Sequence, residues 1–245
     1  MLNDLVIANR ILAHEDVVDA YGHVSVRHPQ RPDRFFLARS LAPELVTPDD
    51  IIEFTLDGMP VHEEKRALYL ERFIHGGIFE ARLDVMAVVH AHAEDTLPFG
   101  ITDATPLRPV IHLARFSGAH IPVWDIADKF GDTDLLVSSV AHGQDLARGL
   151  GVASVVLMRG HGFAAAARSL VEVVLMSVYL VRNARVLTRA RQLGGEIKYL
   201  TAGEIAARNR SASAVTPPIM RAWEYWAKRA GVGDLLSHTK HSLGT

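Results

Sequence analysis

Residues 169–193, SLVEVVLMSVYLVRNARVLTRARQL, are apolar on nearly every side through the first half of the stretch. A helix of that kind is covered by other elements rather than laid on a surface. Ser169, three residues before Glu172, predicts its start as a capping box. The arginines of its second half suit a helix carboxyl terminus. Two β-branched apolar runs, AVVHAH (87–92) and ASVVLMRG (153–160), read as buried strands that such a helix can cover.

The remaining elements fit the same plan. Leu5, Val6, Ala8, Ile11, Leu12 and Val17 recur at helical spacing over 4–19, and helices are also predicted over 66–82 and 140–150. HVSVRHP after Gly22, FFLA (35–38) and IIEF (51–54) read as strands, with 40–50 a loop and a turn at Asp57-Gly58. PLRPVIHL (106–113) and IPVWDI (121–126) are expected as further strands. Beyond Gly203 the chain turns polar and then aromatic at Trp223, Tyr225 and Trp226, so a tail over 204–245 is expected to pack at a subunit interface. Neither repeats nor linkers divide the 245 residues, which read as one α/β domain over 1–245 with a sheet flanked by helices.

Composition excludes several classes of partner and chemistry. Lysine plus arginine number 26 against 28 acids, so no basic field invites nucleic acid or an anionic membrane. Cysteine is absent, which removes disulfides, thiolate nucleophiles and thiolate metal sites. No apolar stretch reaches the roughly 18 residues a membrane span needs. The start, MLNDLVIANRILAHED, lacks a basic n-region and a cleavage site, so a cytoplasmic location is expected.

Thirteen histidines make imidazole sites worth seeking. In a strand, His90 and His92 share one face, roughly 6–7 Å apart along the backbone, a separation that suits two ligands of one ion. Such a pair alone is a weak signal. His161, in RGHG (159–162), follows the second buried run and has glycine on both sides, which lets the backbone approach a bound group. Three imidazoles leave open positions on a metal, the mark of a catalytic site. Glu71, on the helix preceding the H-x-H strand and on one helix face with His75, can act as ligand or proton shuttle.

Glu71 and His75, then DVMAVVHAHA (84–93) and MRGHGFAAAARSLVEVV (158–174), in that order and spacing, resemble the class II aldolase/adducin family over about residues 4–200. The resemblance implies a three-layer αβα fold with a central, mainly antiparallel sheet, and a homotetramer with sites between subunits. It implies a divalent metal on His90, His92 and His161 and an acid/base role for Glu71. Sugar-phosphate members hold phosphate with a G-N-x-S turn, a T-P-S-G loop and a serine pair before the glutamate. The corresponding places here read Gly22-His23-Val24-Ser25, Ala38-Arg39-Ser40-Leu41 and Tyr69-Leu70-Glu71. Exposed small donors that suit a dianion are replaced by imidazole, guanidinium, phenol and apolar groups. Arg39 instead suits a carboxylate, gripped by two parallel hydrogen bonds.

GHVSVRHP, ARSLAPELVTPDDIIEF, YLERFIHGGIFEAR and LMRGHG are similar to the family's decarboxylases of hydroxylated aromatic dicarboxylates, of the dihydroxyphthalate and hydroxypyridine-dicarboxylate kinds. That resemblance implies a small aromatic acid as substrate and decarboxylation as the reaction. Glu71 would protonate the ring carbon, Arg39 and Ser40 would hold a carboxylate, and His23, Tyr69 and Arg115 would be further substrate contacts. Manganese is the favoured ion, with zinc, iron or cobalt suited to the same donors. The alternatives are aldol cleavage of a sugar phosphate, a non-haem iron oxygenase and, outside catalysis, an adducin-type binding module, which has no need of the three histidines.

Overall fold

The computed structural model describes residues 1–209 and 216–236. Seven strands form one sheet: β1 (His23–Arg27), β2 (Arg34–Ala38), β3 (Ile51–Thr55), β4 (Ala87–Ala91), β5 (Val123–Trp124), β6 (Val155–Met158) and β7 (Gly162–Ala167). Their order is β3-β2-β1-β4-β7-β6-β5, antiparallel throughout except for the parallel β5–β6 pair. The helices are α1 (Leu2–His14), α2 (Arg72–Ala81), the single turns α3 (Pro98–Ile101) and α4 (Ala127–Phe130), α5 (Val140–Leu150), α6 (Leu170–Leu193), α7 (Ala202–Asn209) and α8 (Pro217–Arg229).

Alternation along the strands sorts the core into two halves. Val24, Val89, Leu157 and Ala165 face α1, α6 and α8, whereas Val88, Val156 and Ala164 face α2 and α5. The result is three layers around a mainly antiparallel sheet. Its central strands β4 and β7 are buried along their whole length. The predicted buried helix is α6, with Val173 to Val178 all inside and the Ser169 hydroxyl accepting from the Glu172 amide at 3.2 Å. Among the described residues, no helix is long and apolar enough to cross a membrane.

Two local expectations need correction, and one strand went unforeseen. Residues 106–113 form no strand. Their backbone bonds go to a side chain instead: Asn183, buried in α6, accepts from Val110 and Ile111 and donates to Arg108. Pro106 and Pro109 add two positions with no amide to give a ladder. The helix expected from 66 begins only at Arg72, because the preceding segment lies along the 39–50 loop, where Ser40 donates to the Ala67 carbonyl at 2.8 Å. Conversely β7, GFAAAA, is a central strand that the residues themselves did not announce, since alanine has little strand preference.

The tail divides. Trp223 and Trp226 are buried within this same chain, where α8 packs on α1 and α6, while Tyr225 stays exposed. Glu15, at the end of α1, pairs with Arg182 of α6 and with Arg229 of α8. Residues 210–215 and 237–245 of the expected 204–245 tail lie outside the described residues.

Candidate metal centre

The antiparallel pairing of β4 and β7 builds the site. His90 sits opposite Ala164 and Ala91 opposite Phe163, so the end of β4 meets the start of β7. His92 leaves β4 there and His161 enters β7 there. Gly162 is required at that junction: a Cβ on it would lie 2.1 Å from the Ala91 carbonyl oxygen. Glu71 arrives from the α2/α5 layer at the N-cap of α2, rather than on a helix face shared with His75.

The four side chains converge. His92 Nε2 lies 2.9 Å from His90 Nε2 and 3.0 Å from His161 Nε2. Glu71 Oε2 stands 3.3, 4.0 and 3.4 Å from the Nε2 atoms of His90, His92 and His161. One ligand atom from each falls within 4.8 Å of all the others. Ligands about 2.1 Å from a tetrahedral ion stand about 3.4 Å apart, which is the scale seen here.

The donor inventory also fits a cation. His90 Nδ1 lies 3.0 Å from the Phe163 carbonyl and His161 Nδ1 lies 2.9 Å from the Leu135 carbonyl. An imidazole that spends its one N–H on a carbonyl presents a lone pair at Nε2, the orientation such carbonyls impose on metal-binding histidines. Glu71 Oε1 accepts from the Val137 amide at 3.0 Å, which aims Oε2 at the imidazoles. Where His90 and His161 spend their proton on Nδ1, their Nε2 atoms meet Glu71 Oε2 as acceptor to acceptor, and either an added proton or a shared cation removes the conflict.

Acid–base behaviour follows from the same geometry. Burial alone would raise the Glu71 carboxyl. Charge and hydrogen bonding from His90 and His161 outweigh it and hold the group well below the usual carboxylate range. Burial would lower His161, but the hydrogen bond and charge of Glu71 raise it. Burial, then His90 and His161, take His92 down to about 4. The cluster as a whole attracts a positive charge, whether proton or ion. His90 is fully buried and Glu71 nearly so, while the half-exposed His92 opens onto a cleft of about 270 Å³ rimmed by Asp16, Asp19, Glu94 and Asp95.

The other predicted contacts separate into near and far. His23 lies across from His90 in the β1–β4 register, with ring centroids 5.2 Å apart. Tyr69 leans against His23, with ring centroids 4.5 Å apart and planes tilted by 44°, and donates its hydroxyl to the Leu41 carbonyl, and burial pushes its phenol up to about 12. Arg39 Nε donates to Asp50 Oδ1 at 2.7 Å, while Thr47 holds the other carboxylate oxygen. Ser40 is exposed next to it. Arg115 is elsewhere: it lies over Phe116, beside Tyr179 and Tyr225, in the opposite layer of the sheet. Its place in the apolar series 106–117 gave no sign of which face it would take.

The sequence singled out His75 beside Glu71 but not the partners it takes. His75 bonds backwards to His23, at 2.6 Å, and to Ser25, also at 2.6 Å. Burial, then His90, lower His75 to about 3; burial, then His75 and His90, hold His23 well below its ordinary value. Asp50, which orients Arg39, was missed altogether. Each contact spans 11 to 52 residues of sequence, beyond any local pattern.

Residues 3–188 match the family described as Class II Aldolase and Adducin N-terminal domain. The decarboxylase tropJ of Talaromyces stipitatus is 37% identical over 252 residues, covering 93% of each chain. The 3,4-dihydroxyphthalate decarboxylase of Arthrobacter keyseri is 28% identical, covering 82% of this chain and 83% of its own. In fold, an aldolase II superfamily protein from Pseudomonas syringae superposes with a TM-score of 0.75 at 22% identity, over 94% of this chain and 91% of that one.

Proposed function

Because the chain belongs to the class II aldolase and adducin family, we propose that it is a metal-dependent carboxy-lyase acting on a hydroxylated aromatic ortho-dicarboxylate. The observation that carries this reading is the convergence of the buried Glu71 carboxylate with the Nε2 atoms of His90, His92 and His161 within 4.8 Å of one another. The decarboxylases among its relatives, one matched along 93% of both chains, support the reaction class. We favour manganese at His90, His92, His161 and Glu71.

A divalent cation held there would stabilise negative charge on the substrate's ring oxygen as the C–C bond breaks. The chain's own residues supply the rest. Glu71, ionised at rest, takes the proton of the ring hydroxyl and delivers it to the ring carbon that bears the leaving carboxylate. The carbon–carbonyl bond then breaks, CO2 departs, and its electron pair returns to the ring and the oxygen, restoring aromaticity. The seclusion of Glu71 and His90 from solvent keeps competing water from that proton. Arg39 has its Nε fixed by Asp50, and no hydrogen bond engages its terminal nitrogens among the described residues. Those two nitrogens suit the second carboxylate. His23 and Tyr69 line the approach between the clamp and the cluster.

Elemental analysis of the purified protein, followed by a screen over ortho-hydroxylated aromatic diacids, tests the reading. Metal content together with CO2 release is the expected result. Release of an aldehyde from a phosphorylated sugar would replace it with aldol cleavage, and oxygen consumption would replace it with an oxygenase.

A further inference from the structure

Behind the metal cluster, three side chains form a hydrogen-bonded row from the buried sheet toward the site. Ser25 Oγ lies 2.6 Å from His75 Nδ1, and His75 Nε2 lies 2.6 Å from His23 Nδ1. Ser25 and His75 are fully buried and His23 is 4% exposed. A row of this kind has two polarities, with every proton on one side of its neighbour or every proton on the other.

Satisfaction of the buried hydroxyl decides between them. If His75 donated to Ser25 from Nδ1, the serine's own O–H would need a second acceptor. Among the described residues, no other hydrogen bond engages Ser25 Oγ, and an orphaned buried donor costs about 1–3 kcal/mol. Ser25 therefore donates to His75 Nδ1. His75 then carries its proton on Nε2 and donates to His23 Nδ1. His23, receiving at Nδ1, carries its own proton on Nε2. No hydrogen bond reaches that Nε2 among the described residues, and it keeps a small share of the 4% of His23 that reaches the surface.

We propose that Ser25 and His75 are positioning residues that fix His23 as an outward N–H donor, and that this donor binds an anionic oxygen of the substrate beside the metal cluster. The inference rests on the carboxylate substrate proposed above, but the polarity of the row does not. A fixed donor also favours a carboxylate over a group that must itself donate, which makes His23 a specificity-determining contact.

Nitrogen-15 NMR of histidine-labelled, zinc-loaded protein at neutral pH reads the row directly. Both His23 and His75 are expected with the proton on Nε2, and a proton on Nδ1 of either ring overturns the proposal. Benzene-1,2-dicarboxylate, used as an unreactive probe, should move the His23 Nε2–H resonance, and a signal that stays fixed at saturating probe overturns the contact. In the Ser25→Ala protein the second tautomer should appear, and KM for the diacid should rise about tenfold while kcat changes less than about threefold. An unchanged KM in a folded Ser25→Ala protein overturns the positioning role. If no diacid releases CO2, the proposed function fails, while the NMR result still decides the row.

Discussion

Glu71 shows how one residue can be placed by opposing forces. Burial pushes its proton on, the imidazoles push it off, and the Val137 amide fixes which oxygen faces them. Exchanging the charge while keeping the shape isolates its role: Glu71→Gln should retain bound metal through the three histidines but lower kcat by about 100-fold or more, read by elemental analysis and CO2 release. Its spacing ahead of the H-x-H run made the four-residue cluster legible in the sequence, since of the glycines around His161, Gly162 marks a close approach and Gly160 a left-handed turn that alternation alone would not need. The direction of His75 was not legible. Glu71 sits at the N-cap, so the expected shared helix face does not exist, and His75 turns back toward a strand 50 residues earlier.

At the scale of elements, the position of Glu71 depends on how closely α2 lies against α5. Gly143 of α5 meets Phe73 of α2 so tightly that a Cβ would stand 2.1 Å from the Phe73 carbonyl oxygen, and Gly77 meets Gly143 just as closely. Gly143→Ala should force the helices apart, cost about 1–3 kcal/mol in denaturant unfolding and weaken metal binding. Two residues on, at the middle of α5, Asp145 ties the helix by bonding Trp124 of β5, Arg148 and Lys129. Burial opposes ionisation there, but those three bonds bring the carboxyl from 3.8 to about 2. Because the folded value lies below the unfolded one, the tie stabilises above about pH 4 and is lost as pH falls toward 2. Asp145→Asn should flatten that acid limb in thermal melts recorded across the interval. Helix α5 was legible to its last residue, with Gly151 ending it. Residues 106–113 were not, because their apolar spacing is that of a strand while their hydrogen bonds belong to Asn183 of α6.

Across the whole molecule, the sheet order brings β7 beside β4 although His92 and His161 are 69 residues apart in the chain. An ion held between them binds the folded state alone, so stability rises with free metal as RT ln(1 + [M]/Kd), about 2.7 kcal/mol at a hundredfold excess over Kd. Chelation should therefore lower Tm, and restored manganese should raise it, while protein lacking His161 should show neither change. The layered architecture was readable from α6 and the two apolar runs, whereas the own-chain burial of Trp223 and Trp226 was not, since aromatic character does not say whose surface it covers. The β4–β7 seam carries a temporal consequence as well. A chain emerging from the ribosome exposes Glu71, His90 and His92 long before residue 161 exists, and at that stage it can grasp an ion only loosely. On the metal site proposed above, commitment to a particular cation would wait until the last central strand docks, so the finished architecture, rather than the nascent peptide, would choose which metal stays.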